Sequence, residues 1–379
     1  MALLALNIGS SSLKATLFDR NLNRLLDAEI KGIHSVKSEL NIAGIKKTCR
    51  IHNNIHKAFA LLMGAMRLEP TTDLIGIGHR FIHGGWKYTK SIRLDAKTIR
   101  NLETLKKLAP LHNPESLAII HASKQYFRHI PQIAVFDTAF HRTLPPAAAI
   151  YGIPQHLTKK FHIQRYGFHG IAHAYLASHL KKQKLITLHL GNGCSAAAIL
   201  NGKSVETSMG FSPAEGLVMG TRAGDLDVTI LEYLTKVTGK SIQSITHMLN
   251  FESGLLGVSG KTSDVKTLLS QKDRASRLAI ELFCYRIIKT VGAYVAVLNG
   301  LDCLAFSGGI GENSVKIREK ICSHLPYLGL KLSLPKNRAS QHLKPGEKQS
   351  VQAASSTIEV YVINADEALF IARETLSLS

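Results

Sequence analysis

Cysteine is scarce in this chain: five residues in 379, scattered and with no C-x-x-C pair. That excludes a disulfide framework and a zinc-ribbon spacing, and a reducing cytoplasm is the compartment it fits. No apolar run is long enough to span a bilayer. The apolar first residues lack the basic segment of a signal peptide. Acidic residues are the scarce charge, 27 against 47 basic ones, which leaves a net +20. Such a balance raises nucleic-acid binding as a question. However, the charge sits in short mixed clusters such as "KSELNIAGIKK" and "HLTKKFH", not in a basic arm, and no nucleic-acid module is recognisable. A solvated basic surface that attracts small anions is the plainer reading.

Two familiar nucleotide signatures are missing as well. "GLLGVSGKT" imitates G-x-x-x-x-G-K-[ST], but the motif needs glycine where Leu255 stands. The glycine run at Gly308–Gly311 fails the dinucleotide fingerprint because Ser314 occupies its last glycine position. A P-loop and a Rossmann NAD site are therefore excluded on sequence.

What is present is a repeated pattern. "LALNIGSSSLKATLFDR" runs as a strand over residues 2–7, a polar notch, and a second strand over 13–19. "RNLN" then turns into a third strand, "RLLDAEI". About half a chain later "LITLHLGNGCSAAAILNGKSVETSMG" repeats this order: a strand to Leu190, a Gly-Asn-Gly notch, a strand from Ser195, a turn at Asn201-Gly202 and a third strand. The chain exceeds the size of one core, and the repeat predicts a duplicated domain. Helical patterns lie between. "NPESLAIIHASKQYF" is expected to start with Asn113 as cap and Pro114 at the first position. A long helix over Arg274–Leu298 should stop at Asn299-Gly300. "CLAFSGGIGENSVKIREKICSHL" reads as strand, glycine loop and a helix opening near Asn313. Strands and helices mix throughout, so the class is α/β.

Three glycine-rich loops thus follow strands, at Ile8–Ser12, Gly191–Gly193 and Gly308–Gly311, and such loops expose N–H groups that can cradle phosphate. Ser10, Ser12 and Lys14 add donors to the first. Ionisable residues punctuate similar places: Arg80 in "GIGHRFIHGG", Asp137 in "AVFDTAFH", His169 in "QRYGFHGIAH" and Arg222 in "MGTRAGDLD". Singly each has a plain structural reading, as a helix cap, a satisfied core histidine or a surface arginine. Together they supply the parts of phosphoryl transfer: cations, a carboxylate and phosphate loops.

"NIGSSSLK", "GHRFIHGG", "LAPLHNP", "FDTAFH", "RYGFHG", "HLGNG", "TSMGFSPAEGLVMGTRAGDLD", "SGGIGEN" and "NADEALFIARET", in this order over nearly the whole chain, resemble the successive motifs of the acetate kinase family. The resemblance implies two ribonuclease-H-like domains of the actin-like ATPase fold around a nucleotide cleft. One would be residues 1–139 completed by 368–379, and the other 140–367, carrying most of the nucleotide site. It implies a cytoplasmic homodimer that moves phosphate reversibly between ATP and acetate, giving acetyl phosphate and ADP, with magnesium (or manganese) as cofactor. By resemblance Asn7 and Glu367 bind the metal and Lys14 approaches the nucleotide phosphates. Arg80 binds the acid, in a pocket lined by Ile82, Leu111, Phe168 and Pro213. Asp137 is the catalytic acid or base, and His169 and Arg222 stabilise the transition state. His189, Leu190, Gly191, Asn192 and Gly193 form the phosphate loop. Asp264, Val265 and Lys266, with Gly309, Ile310, Gly311, Glu312 and Asn313, form the nucleoside-binding segments.

Three positions depart from the family pattern: Lys266 replaces the usual arginine, Trp86 an acidic residue, and "HGIAH" the commoner "HGTSH". Propionate or another short acid is the alternative acceptor. A non-catalytic ATP-dependent switch is the alternative class, disfavoured by the acyl-site motifs and the lack of a peptide-binding domain.

Overall fold

The opening strand–notch–strand run of the chain becomes a meander. β1 (Ala2–Ile8), β2 (Ser12–Asp19) and β3 (Arg24–Lys31) run antiparallel, with Asn7 opposite Lys14 and Ile8 opposite Leu13. β4 (Ser38–Ile42) and β5 (Ile45–Cys49) extend one side; β6 (Leu74–Phe81), β8 (Gln132–Phe136) and the two-residue β7 (Ile92–Arg93) extend the other, giving the order 5-4-3-2-1-6-8-7. The pattern recurs in β9 (Lys184–Leu190), β10 (Cys194–Leu200) and β11 (Lys203–Thr207). β12 (Cys303–Ser307), β14 (Glu359–Ile363) and β13 (Lys348–Ser350) follow in a six-stranded sheet of order 11-10-9-12-14-13. In both sheets the first meander strand pairs in parallel with a later strand, β1 with β6 and β9 with β12, and that strand pairs in parallel with a third. The repeat read from the two notches is thus a repeat of topology.

This computed structural model describes residues 1–9, 11–51, 54–110 and 112–379, which fall into two compact units: 1–140 with 366–379, and 141–365. Each central strand is apolar on both faces, as a helix-covered parallel strand must be. Leu3, Leu4, Leu6, Ile77, Ala134 and Val135 are buried in the first unit; Leu185, Ile186, Leu188, Leu304, Phe306 and Val360 in the second. The turn at Asn201-Gly202 has both φ angles positive, 50° and 77°, as a tight hairpin requires. The helix Arg274–Leu298 ends as expected, with Asn299 left-handed at φ 52°.

Two expectations are corrected. Asn113 is the first helical residue of Asn113–Tyr126, and the cap position is held by His112, whose side chain does not cap the helix. The third glycine run is not a loop: β12 passes directly into a helix at Gly308–Asn313, followed by a second at Val315–Cys322. Glu312 explains the difference, because its Oε1 accepts from the Gly308 N–H (2.8 Å) and so closes the first turn.

Candidate active site

In the first unit four elements end together. β1 delivers Asn7, β6 Arg80, the end of β8 Asp137, and the start of the C-terminal helix (Glu367–Leu378) Glu367. Arg80 donates to Asp137 Oδ2 from Nε (3.0 Å) and Nη2 (2.6 Å), and from Nη1 to Asn7 Oδ1 (3.2 Å) and Glu367 Oε2 (3.3 Å). Asn7 Nδ2 donates to Glu367 Oε2 at 3.0 Å. Burial disfavours the Arg80 charge, but the carboxylates of Asp137 and Glu367 outweigh it and raise its pKa above the ordinary value. The guanidinium is therefore a permanent cation. The oxygens around it, two carboxylates and an amide, are hard donors of the kind magnesium takes while keeping waters or phosphate oxygens. Among the described residues no group of three or more His, Cys, Asp or Glu could hold a metal. The donor set thus fits a substrate-associated magnesium and not a caged one. Lys14 lies opposite Asn7 in register, with its ammonium 3.7 Å from Glu29.

Just past β6, Ile82 is buried in the segment leading to Gly84 and Gly85. Asn113 staples this segment: its Oδ1 accepts from the His83 N–H and its Nδ2 donates to the His83 carbonyl, both at 3.1 Å. A residue legible as a cap is used instead as a buried brace. Leu111 lies outside the described residues.

In the second unit the end of β9 turns through Gly191–Gly193, closed by the Gly191 N–H bond to the Gly193 carbonyl (3.1 Å). A Cβ on Gly193 would lie 3.5 Å from Arg222 Nη1 and 3.6 Å from His169 Nε2, so both side chains converge on this loop. His169 is held in the left-handed region (φ 55°) ahead of the helix Gly170–Leu180, and its Nδ1 meets Ser195 Oγ at 2.9 Å. The same hydroxyl meets His173 Nε2 at 2.8 Å, and His173 Nδ1 meets Thr187 Oγ1 at 2.7 Å. Burial, then the neighbouring His141 and His189, push the His173 pKa well below its usual value, so His173 is neutral. Phe168 is buried, and its carbonyl accepts from His141 Nε2 (3.0 Å). Arg222 donates to the Pro213 carbonyl (3.3 Å), which places Pro213 beside it, and burial lowers its pKa from the ordinary value.

The nucleoside-binding candidates are less uniform. Gly308 has φ 76°, and a Cβ there would lie 2.6 Å from the Leu190 carbonyl oxygen, so the glycine-rich helix packs directly on the end of β9. Glu312 turns back on its own helix, and Asn313 Oδ1 accepts from the His342 N–H (3.2 Å). Asp264 caps the helix Val265–Ser270, accepting from the Thr267 N–H (2.7 Å); Lys266 is exposed, whereas Val265 is buried. Two supporting residues are missed by the sequence reading. Arg318 is fully buried and donates to the Gly311 and Glu312 carbonyls (2.7 and 2.8 Å); burial lowers its pKa to about 10. Its flanks, Ile317 and Ile321, were the available signal, since an arginine on an apolar face needs buried acceptors. Gly254, part of the false P-loop, packs on the backbone of Arg222: a Cβ would lie 2.7 Å from the Arg222 oxygen and 2.3 Å from that of Met219.

The model of the acetokinase family matches residues 2–373. An acetate kinase of Chloroherpeton thalassium is 44% identical over 82% of this chain and 77% of its own. A propionate kinase of Francisella tularensis, covering both chains fully, has a TM-score of 0.91 at 38% identity. The acetate kinase of Porphyromonas gingivalis, covering 99% of each chain, has a TM-score of 0.90 at 33% identity. The two sheets are those of the actin-like ATPase fold that these kinases share. With the family model spanning almost its whole length, this chain belongs to the acetokinase family.

Proposed function

We propose that the protein is an acetate kinase, transferring the γ-phosphoryl group of ATP reversibly and directly to acetate. The observation that carries the reading is the convergence of Arg222 and His169 on Gly193, at the end of β9. A rigid pair of donors beside a phosphate-type loop is what charge spreading over the equatorial oxygens requires. Acetate, with a pKa near ~4 like other free carboxylates, is already ionised at pH 7 and needs no base. Asp137 therefore positions its neighbour and removes no proton: two hydrogen bonds from Arg80 end on its Oδ2. Arg80 in turn binds and aims the acid and screens it from the nucleotide's negative charge. Asn7, Asp137 and Glu367 would hold magnesium, which when bound withdraws charge from the transferring phosphoryl group. His169 and Arg222 then meet the charge that remains, and Lys14 and the loop His189–Gly193 bind the nucleotide phosphates.

The Francisella neighbour is named a propionate kinase, which makes propionate the second reading. Buried, β-branched Ile82 favours the shorter acid. ADP formation with acetate, propionate and butyrate, each with and without magnesium, tests both. Acetate should give the highest kcat/KM, with no turnover once the metal is chelated. ADP release independent of any acid would sink the kinase reading in favour of an ATP-driven switch.

We place the enzyme in the cytoplasm as a homodimer. Five unpaired thiols support the first. Exposed Val228, Tyr233, Val237 and Ile242, on neighbouring helices of the second unit, support the second. Light scattering should return twice the chain mass; a monomer at micromolar concentration would count against it.

A further inference from the structure

Arg24 lies on β3 and carries no role in the reaction as read so far. Its side chain nevertheless gathers four partners. Nη2 is 2.6 Å from Asp366 Oδ1; Nη1 pairs with Asp27 Oδ1 and donates to Thr16 Oγ1 (3.3 Å); and the guanidinium carbon stands 5.3 Å from the centre of the Phe18 ring. Thr16 in turn donates to Asp27 (2.7 Å). Asp366 is the N-cap of the C-terminal helix, accepting from the Leu369 N–H at 2.9 Å, and its side chain is only 7% exposed. The next residue is Glu367, which meets Asn7 at 3.0 Å and Arg80 at 3.3 Å.

An exposed ion pair is worth little, but a nearly buried carboxylate is costly to leave without its cation. Asp366 must also stay in place to close the first helical turn, and Glu367 belongs to that turn. We propose that Arg24 is a positioning residue: through Asp366 it fixes the start of the C-terminal helix, and so sets Glu367 against Asn7 and Arg80. The proposal rests on reading Glu367 as a metal-binding carboxylate.

The test measures Mn2+ affinity of the protein–ADP complex by water-proton relaxation, a readout that needs no turnover. Arg24→Gln should weaken Mn2+ binding about three- to tenfold while the KM for acetate changes less than twofold. Arg24→Lys keeps the charge but loses the fork; it should fold and show a smaller loss, about two- to threefold. Removing the stranded charge in Arg24→Gln/Asp366→Asn should recover part of the affinity. Glu367→Gln is the reference. If it weakens Mn2+ binding and both Arg24 variants bind as the parent does, even with a lowered melting temperature, the positioning role is overturned. If Glu367→Gln leaves Mn2+ binding unchanged, the metal reading of Glu367 falls and takes the Arg24 role with it.

Discussion

Among the described residues, Arg222 has no carboxylate hydrogen-bond acceptor; its acceptors are the Pro213 carbonyl and Met219 Sδ. Its positive charge is therefore available for a substrate oxygen, in contrast to Arg80, whose charge is shared between Asp137 and Glu367. The two arginines should fail differently. Arg222→Ala should lower kcat by roughly 10²–10³, or about 3–4 kcal/mol, with little change in KM for acetate. Near-normal turnover in a folded variant would remove it from the mechanism. Arg80→Ala should raise the KM for acetate as well as lower turnover, and should loosen Asn7 and Glu367. Ile82 is expected to govern a smaller difference. An added methylene gains at most ~0.8 kcal/mol on burial, whereas overpacking costs about 1–3 kcal/mol. The steric cost wins, so acetate should lead propionate by roughly tenfold in kcat/KM. Ile82→Ala should narrow or reverse that lead; an unchanged ratio would mean that Ile82 does not set acyl length.

The elements show where the sequence is legible and where it is not. Both strand–notch–strand units could be read, because short apolar runs broken by polar turn residues are local signals. So could Arg80 and Asp137 as strand-end residues. What could not be read depends on which partner a side chain or backbone group takes. Asn113 looks like a cap, but its amide is used 30 positions away on His83. The run Gly308–Gly311 looks like a loop, but the Glu312 carboxylate turns it into a helix. Gly254 gives the sharpest case: it opens a segment that only imitates a nucleotide motif, while its φ of 60° and missing side chain serve the Arg222 turn. Gly254→Ala should destabilise the protein by roughly 2–4 kcal/mol through strain and overpacking, read as a lower urea midpoint. It should also depress kcat by displacing the Arg222 backbone. Gly260→Ala is the control: φ there is 64°, but a Cβ would meet nothing within 4 Å, so only the strain should appear. Equal effects of the two substitutions would remove the packing argument.

At the scale of the whole molecule, one architecture appears twice and is charged unequally with chemistry: the first sheet gathers carboxylates around Arg80, the second gathers imidazoles beneath His169. The buried imidazoles bear on acid stability. His141 and, in the first unit, His79 are fully enclosed, and burial lowers both to about 4 from an ordinary 6.5; burial, with His141 and His189 nearby, lowers His173 as well. In the unfolded chain all three titrate near ~6.5. Above that pH neither state binds the extra protons and stability is unaffected by them. As pH falls from about 6.5 towards 4, the unfolded chain takes up protons that the native protein refuses, so ∂ΔG/∂pH is positive throughout this window. His79 and His141 would each remove up to about 3 kcal/mol by pH 4. The net charge of +20 adds a general self-repulsion as the exposed histidines ionise. The melting temperature should therefore fall steeply between about pH 6.5 and 4.5, well before most carboxylates protonate. His141→Gln separates the two causes. Its amide can donate to the Phe168 carbonyl and accept from Ser204 as the imidazole does, but it cannot titrate. Whatever its starting melting temperature, its slope against pH should be shallower than the parent's. Parallel slopes would show that His141 takes up its proton in the native state as readily as in the unfolded chain, and would remove it from the groups that set the acid sensitivity.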